Sequence, residues 1–434
     1  MRILVVGSGG VGDAVARIAA RRSFFERMVV ADYELVRAER TVQAANDRDV
    51  TSPASPRFVA ARVGASDPAA VTALALEHGA THVLNAVDPR FVMSVFTGAL
   101  GAEADYLDMA ASLSRPHAER PHELTGVKLA DEQFAAESLW RDAGRLAVVG
   151  MGVEPGLSDV FARYAVDHLF SEVDELGTRD GSNLVVVGDD GEPIFAPSFS
   201  IWTTIEECLN PPVIWEADRG WYTVAPFFEP EVFDFPGGIG PVECVHVEHE
   251  EVLLMPRFLE AKKVTFKYGL GEEFISVLRT LHTLGLDRTT PVRVKSAHPA
   301  APGAVSVSPR DVVAAVLPDP ATLGHRMRGQ TCAGLLVTGL GKDGKPREVY
   351  LHHITDNAWS MAEYGAQCVV WQTAVNPVIA LELLATGVWS GSGVLAPEAF
   401  DAVPFLELLA AAEPAGYGSP WELQERVPGS SSVR

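Results

Sequence analysis

Near the start of the chain, Arg2-Ile3-Leu4-Val5-Val6 runs into Gly7-Ser8-Gly9-Gly10-Val11-Gly12, and Val29-Val30-Ala31-Asp32 follows. That order of apolar run, glycine turn, helical segment, second apolar run and terminal acid suits the holding of a dinucleotide. Gly7 permits a tight turn, Gly9 lets backbone approach a pyrophosphate, and Gly12 lets a helix pack close to the sheet. A helix beginning there turns free N–H groups and the positive end of its dipole toward the phosphates. Ser8, Gly10 and Val11 complete the turn. Asp32 can accept hydrogen bonds from the ribose hydroxyls of NAD and would repel the 2′-phosphate of NADP. Arg37 and Arg40, one and two helical turns on, could neutralise that phosphate, so NAD is the expected cofactor and NADP the alternative.

Other residues have the types needed for chemistry beside such a cofactor. Asn85-Ala86-Val87-Asp88-Pro89 follows the fourth strand-like run, where small side chains would let backbone meet ribose or nicotinamide. Asn85 suits that role and, equally, an Asx turn before Pro89. Ala65, just past the third strand, is a further cofactor contact by position. Asp108 would point toward the reactive end of the cofactor, or else cap its strand. Glu154, in Gly152-Val153-Glu154-Pro155-Gly156, would lie near a helix N-terminus that faces the cleft. His249 is the third candidate acid or base, since histidine titrates near neutrality. His246 stands three residues earlier in the same strand-like run, hence on the opposite side of a sheet. The two cannot ligate one metal together, each also reads as a structural histidine, and no metal site is expected. A substrate carboxylate would call for a cation; Arg179, in Thr178-Arg179-Asp180, and Lys267, in Phe266-Lys267-Tyr268, are the candidates, or else exposed charges.

These residues need elements to position them. Short β-rich runs (Ile3 to Val6, Met28 to Ala31, Arg57 to Arg62, His82 to Ala86, Tyr106 to Met109, Leu146 to Gly150) alternate with helical patterns such as Asp67 to His78, which opens with an N-cap and a first-turn proline. Alternation of this kind predicts a doubly wound parallel sheet, with ligands beyond the carboxyl ends of its strands. From about Glu172 to Tyr350 strands dominate, and helices are few apart from Glu272 to Leu284. The aromatic-rich stretch Trp202, Trp215, Trp221, Tyr222, Phe227 and Phe228 reads as core or dimer interface. Trp359 to Thr386 is helical again, with Pro377 near a helix start rather than in an interior.

At 434 residues, 47% hydrophobic and 21% charged, the chain predicts two or three globular domains. A formal charge of −22 argues against nucleic acid or an anionic membrane as partner. Cys208, Cys244, Cys332 and Cys368 are far apart without CxxC spacing, so neither zinc site nor disulfide framework is suggested. With no apolar run of signal-peptide or membrane-spanning length, the expected location is the cytoplasm.

Three later segments, Gly150-Met151-Gly152-Val153-Glu154-Pro155-Gly156-Leu157, Phe266-Lys267-Tyr268-Gly269-Leu270-Gly271 and Gly391-Ser392-Gly393-Val394-Leu395-Ala396-Pro397-Glu398, join the glycine fingerprint in order. Together they resemble the saccharopine dehydrogenase family over nearly the whole chain. The resemblance implies an α/β fold: a Rossmann domain (1–150), an inserted α+β domain for substrate and dimerisation (151–358), and C-terminal helices returning to the first domain (359–412). A tail (413–434), disordered over its last seven residues, would follow. Two places depart from the family pattern: Glu154 stands where an aspartate is common, and Val375-Asn376-Pro377-Val378 replaces Ile-Pro-Ala.

The resemblance further implies a homodimeric, NAD(P)-dependent oxidoreductase that transfers hydride to or from an imine of an amino acid derivative. Its partners would be a small amino acid or amine, with a keto acid or aldehyde. Oxidative deamination of a lysine-like or polyamine amine is the second enzymatic reading. A dinucleotide-binding sensor without turnover is the reading from another class, and it would gain if Asp108, Glu154 and His249 all turned away from the cleft.

Overall fold

The computed structural model describes residues 1–51, 56–295 and 303–427. Its first sheet has seven strands, all parallel: β1 (Arg2–Val6), β2 (Arg27–Asp32), β3 (Phe58–Arg62), β4 (His82–Asn85), β5 (Asp105–Asp108), β6 (Leu146–Val148) and, much later in the chain, Gly393–Leu395. In space they run Gly393–Leu395, β6, β5, β4, β1, β2, β3. The order reverses between β1 and β4, which opens the crevice where such sheets take ligands. Ile3 to Val6 are all buried because helices cover both faces of the sheet. Helix α1 (Gly10–Ala19) lays Ala14, Val15 and Ile18 on the sheet, and the helix Pro68–Glu77 starts as the sequence predicts, with the Asp67 carboxylate accepting from Ala69 and Ala70 N–H.

The second sheet has nine strands and mixed directions. At its centre β7 (Phe170–Ser182) pairs parallel with Lys263–Gly269 and antiparallel with Gln330–Gly341, which pairs in turn with Pro346–Asp356. Glu422–Arg426, in the stretch expected to be a tail, is instead the edge strand of this sheet, paired with Pro346–Asp356. The last seven residues, expected to be disordered, lie outside the described residues. Helices are more frequent in this region than its strand-rich pattern predicts: Ile201–Leu209, Glu251–Phe258 and Pro309–Val316 join Gly271–Leu284. They are short and anchored by packing, so their periodicity is faint.

The chain then returns to the first sheet. Helix Cys368–Ala385 packs on α1 and adds walls to the crevice. It is long and apolar enough to cross a membrane by composition, but most of it is buried within the fold, and it is a core helix. Pro377 lies in its interior rather than near its start. Packing on several sides holds this helix where local propensity alone would break it, and Asn376 Nδ2 donates to the Gln372 carbonyl at 2.8 Å.

Candidate active site

The glycine turn forms a cradle bounded by backbone. A Cβ on Gly7 (φ +106°) would lie 2.4 Å from the Ala86 carbonyl oxygen, and one on Gly12 would lie 2.0 Å from that of Gly7. Neither position admits a side chain. A Cβ on Gly9 would meet nothing within 4 Å, so that face of the turn is open. No side chain caps α1, which leaves its first N–H groups directed at the open space. A pyrophosphate fits that arrangement: close backbone approach at Gly9 and uncapped donors at the helix start.

From the cradle a cavity of about 350 Å³ extends to the second sheet. Gly9, Gly10 and Val11 border it on one side, Asn85, Ala86 and Val87 on another, and the helix Cys368–Ala385 on a third. Its charged lining is almost wholly acidic. Asp88, Asp108, Glu154, Asp180, Glu207 and Glu250 line it, with Asp319 at the exposed edge; among the described residues no lysine or arginine does.

His249 is the cationic group on the wall. It sits past the end of the strand Gly240–His246, in the turn before the helix Glu251–Phe258, and is 5% exposed. Its Nδ1 lies 2.6 Å from Glu251 Oε2 and 3.4 Å from Glu250 Oε2, and its ring stacks on Phe266 at 4.0 Å and 3°. Burial opposes its charge, but Glu251, Glu250 and Glu207 prevail and raise its pKa to about 10. The imidazolium is therefore oriented through Nδ1, with Nε2 left for other partners. Glu154 accepts from Ser158 Oγ, and its Oε2 is buried without a donor. Burial, then the nearby Glu251, hold this carboxyl well above the usual carboxylate range.

Asp108 reaches the same cavity under different constraints. Its Oδ1 accepts from Gly150 N–H at 2.7 Å, and its Oδ2 from Tyr106 Oη at 2.9 Å and Gln133 Nε2 at 2.7 Å. Tyr106 Oη in turn accepts from Asn85 Nδ2 at 3.0 Å. This network ties together the ends of β4, β5 and β6. Asn85 Oδ1 accepts from Val87 N–H, the Asx turn that the sequence allows. Burial raises the Asp108 pKa to about 7 against the pull of its three donors.

Comparison with known proteins agrees with this architecture. The model of the saccharopine dehydrogenase NADP binding domain matches residues 3–148, and that of the saccharopine dehydrogenase C-terminal domain matches residues 152–413. The chain belongs to the saccharopine dehydrogenase family. A carboxynorspermidine synthase of Vibrio alginolyticus is 30% identical over 100% of this chain and 99% of its own length. A carboxyaminopropylagmatine dehydrogenase of Synechocystis is 28% identical over 97% of this chain and 96% of its own. Saccharopine dehydrogenase (L-Glu forming) from Saccharomyces cerevisiae shares the fold, with a TM-score of 0.65 at 15% identity over 98% of this chain and 100% of that one. The protein is thus an NAD(P)-dependent oxidoreductase of saccharopine dehydrogenase type, working at an amine or imine carbon.

Two residues nominated for a substrate carboxylate stand elsewhere in this family member. Arg179 and Lys267 are direct partners in adjacent strands, and both turn to the face of the sheet opposite the cavity. There they converge on Glu231: Arg179 Nε donates to Oε1 and Lys267 Nζ to Oε2, the latter at 2.7 Å. Strand alternation is the reason, since Asp180 and Tyr268, the next residues and themselves partners, are the ones that line the cavity. His246 ends its strand opposite Lys267, with Nδ1 3.1 Å from the Phe266 carbonyl oxygen; burial, then Lys267 and Arg179, push its pKa well down.

Asp32 ends β2 beside the glycine turn. It is 5% exposed, and its two oxygens accept from Ser8 and Glu34 N–H, both at 2.9 Å, so it fastens the glycine turn from behind. Ser8 Oγ bonds to Thr41 Oγ1, and neither Ser8 nor Ala65 borders the cavity. Asp180, Glu207, Glu250 and Tyr268 went unnoticed in the sequence. The Ser200 N-cap, whose Oγ accepts from Thr203 N–H, was the available signal for the helix that carries Glu207.

Proposed function

We propose that the protein joins an amine, bound as a cation, to a carbonyl compound by reducing the imine that they form. The observation that carries this reading is the cavity beside the cradle, whose charged lining among the described residues consists of carboxyl groups and His249, without lysine or arginine. Such a lining favours an ammonium ion and disfavours an anionic head group. The names of the relatives support it, because both denote carboxylated amines built on a polyamine or agmatine frame.

Overall, an ammonium, an aldehyde, a hydride and one proton become a secondary ammonium and water. The dinucleotide supplies the hydride when bound. The chain's own residues hold amine and carbonyl together in a confined space and manage protons. One proton must leave the ammonium before its nitrogen attacks, and the carbinolamine hydroxyl must gain one to depart as water. His249 borders the cavity and is protonated near neutrality, so it gives the carbinolamine hydroxyl its proton, while Glu154 on the same cavity, in its ionised form, takes the proton that leaves the ammonium. Asp108, with its oxygens committed to three donors, is a positioning residue for the cofactor-side loops.

The test is an absorbance assay of NADH and NADPH oxidation against amines and aldehydes, singly and paired. Oxidation that requires both an amine and a carbonyl is expected. Release of ammonia from an amine alone, with NAD(P)⁺ reduced, would replace this reading with oxidative deamination. The four buried, unpaired cysteines support a reducing compartment, hence the cytoplasm. A homodimer belongs to the same reading, tested by sedimentation.

A further inference from the structure

We propose that Glu398 and Asp159 share one proton and together hold the loop that presents Glu154 to the cavity. The assignment rests on the reaction proposed above, in which Glu154 is the base, and adds the residues that position it.

Glu154 lies in a tight loop ahead of the helix Leu157–Tyr164. Gly152 N–H donates to the Pro155 carbonyl at 2.7 Å, and a Cβ on Gly156 (φ +135°) would lie 2.1 Å from the Gly152 carbonyl oxygen. Asp159 fastens this loop, since its Oδ2 accepts from Gly156 N–H at 2.7 Å. Glu398 comes from far along the chain, on the turn Pro397–Ala399 that follows the strand Gly393–Leu395 of the first sheet. Its carboxyl lies within hydrogen-bond reach of Asp159. Both residues are 0% exposed, and neither borders the cavity.

Asp159 Oδ1 and both Glu398 oxygens are buried, and among the described residues no donor reaches them. Two ionised carboxylates in contact there would repel each other, with neither solvent nor counter-ion to offset it. One proton between them removes the repulsion and makes each acid the partner of the other. The charged groups that face Glu398 come from the two helices packed on its turn: Asp159 from Leu157–Tyr164 and Glu251 from Glu251–Phe258. Both are acidic, so the surroundings favour keeping the proton. Burial, then the charge of Glu398, raises Asp159 well above the usual carboxylate range, and burial raises Glu398 to about 7. The folded protein thus holds the proton more tightly than the unfolded chain does. The contact is intact at low pH and is lost as pH rises past about 7, where Asp159 is pushed from Glu398 and the loop that aims Glu154 loosens.

The experiment compares Glu398→Ala and Glu398→Gln with the wild type in the full-length protein, measuring kcat and KM from about pH 6 to about pH 10. Glu398→Ala should lower kcat by about 10- to 100-fold with KM little changed, the loss expected when a reacting group moves by about 1 Å. Glu398→Gln can donate to Asp159 without a titrating proton. It should keep most of kcat near neutrality and lose the fall in kcat that the wild type shows above it. His249, with a pKa of about 10, sets a separate and higher limit. Thermal unfolding gives a readout that needs no turnover: the Tm of the wild type should decline relative to Glu398→Gln as pH rises through neutrality. A Tm gap that does not vary with pH, or a descending limb unmoved in Glu398→Gln, would overturn the shared proton. Equal kcat in Glu398→Ala and wild type near neutrality would overturn the positioning role. A pH-dependent Tm gap in a protein that oxidises neither coenzyme with any amine and carbonyl would keep the shared proton and remove the proposed reaction.

Discussion

The strands Phe170–Ser182 and Lys263–Gly269 carry charge on both faces, and the two faces solve the problem of buried charge in opposite ways. Behind the sheet, Arg179 and Lys267 meet Glu231 and all three are satisfied within the protein. In front, Asp180 joins Glu207, Glu250 and Glu154 around a single histidine. The first cluster is complete, and removing a member harms the fold. The second sets several carboxyl groups around one imidazolium, and that deficit of positive charge is what a cationic substrate would fill. A one-residue step along β7, from Arg179 to Asp180, separates structure from binding.

The largest effect should come from the front face. Replacing His249 by Ala removes the oriented imidazolium and is expected to lower kcat by about 10²- to 10⁴-fold, the range for a positioned acid or base. Steady-state assays at several pH values would check it. A loss confined to KM would assign His249 to binding instead. On the rear face, Glu231→Ala strands two buried cations and should cost about 3–5 kcal/mol of stability in urea unfolding. A loss of less than about 1 kcal/mol would mean that solvent reaches the cluster and the contrast between faces is smaller than the burial implies.

The two faces should also answer pH with opposite sign. Glu231 is held below its ordinary value: burial opposes its charge, but Arg179 and Lys267 prevail, so its contribution is present at neutrality and lost as pH falls through the carboxylate range. Glu207 is raised from 4.5 to about 8, chiefly by burial. The folded form therefore binds the extra proton, and its contribution, full at low pH, is lost as pH rises from about 4.5 to 8. Glu207→Gln removes that loss and should be more stable than the wild type by roughly 2–4 kcal/mol at pH 8, with the gap closing toward pH 5. A gap independent of pH would show that Glu207 is solvated in the folded protein.

The parallel sheet was legible in the sequence because its signals are local. An apolar run, a glycine turn and an N-cap such as Asp67-Pro68 each act within a few residues. The glycine cradle follows from the same physics, since only backbone fits where Gly7 and Gly12 approach their neighbours. The front of β7 was hidden for a physical reason. Residues 176–179 are all buried, so alternation between wet and dry sides, the cue that would set the phase of the strand, is missing there. Arg179 and Lys267 looked apt for a substrate because they are cationic, yet the phase sends their acidic and aromatic neighbours to the cavity. Glu207 was hidden because its helix is nine residues long and sits among strands.

The smallest effect expected concerns a residue that looks on paper as though it should meet the cofactor. Asp32 ends β2 where a ribose-binding acid belongs, but its oxygens accept from Ser8 and Glu34 N–H. Asp32→Ala removes these bonds and loosens the turn that presents Gly9, so dinucleotide affinity should fall by about 1–3 kcal/mol. If Asp32 acts through the turn, NADH and NADPH should weaken together, since both place a pyrophosphate on the same N–H groups. If it reads the ribose directly, NADH should weaken while NADPH is spared or improves, because the carboxylate would no longer repel the 2′-phosphate. Fluorescence titration of both coenzymes against wild type and variant separates the two. The hydrogen bonds to Ser8 and Glu34 favour the joint loss, which would make Asp32 another charge satisfied from within, like Glu231.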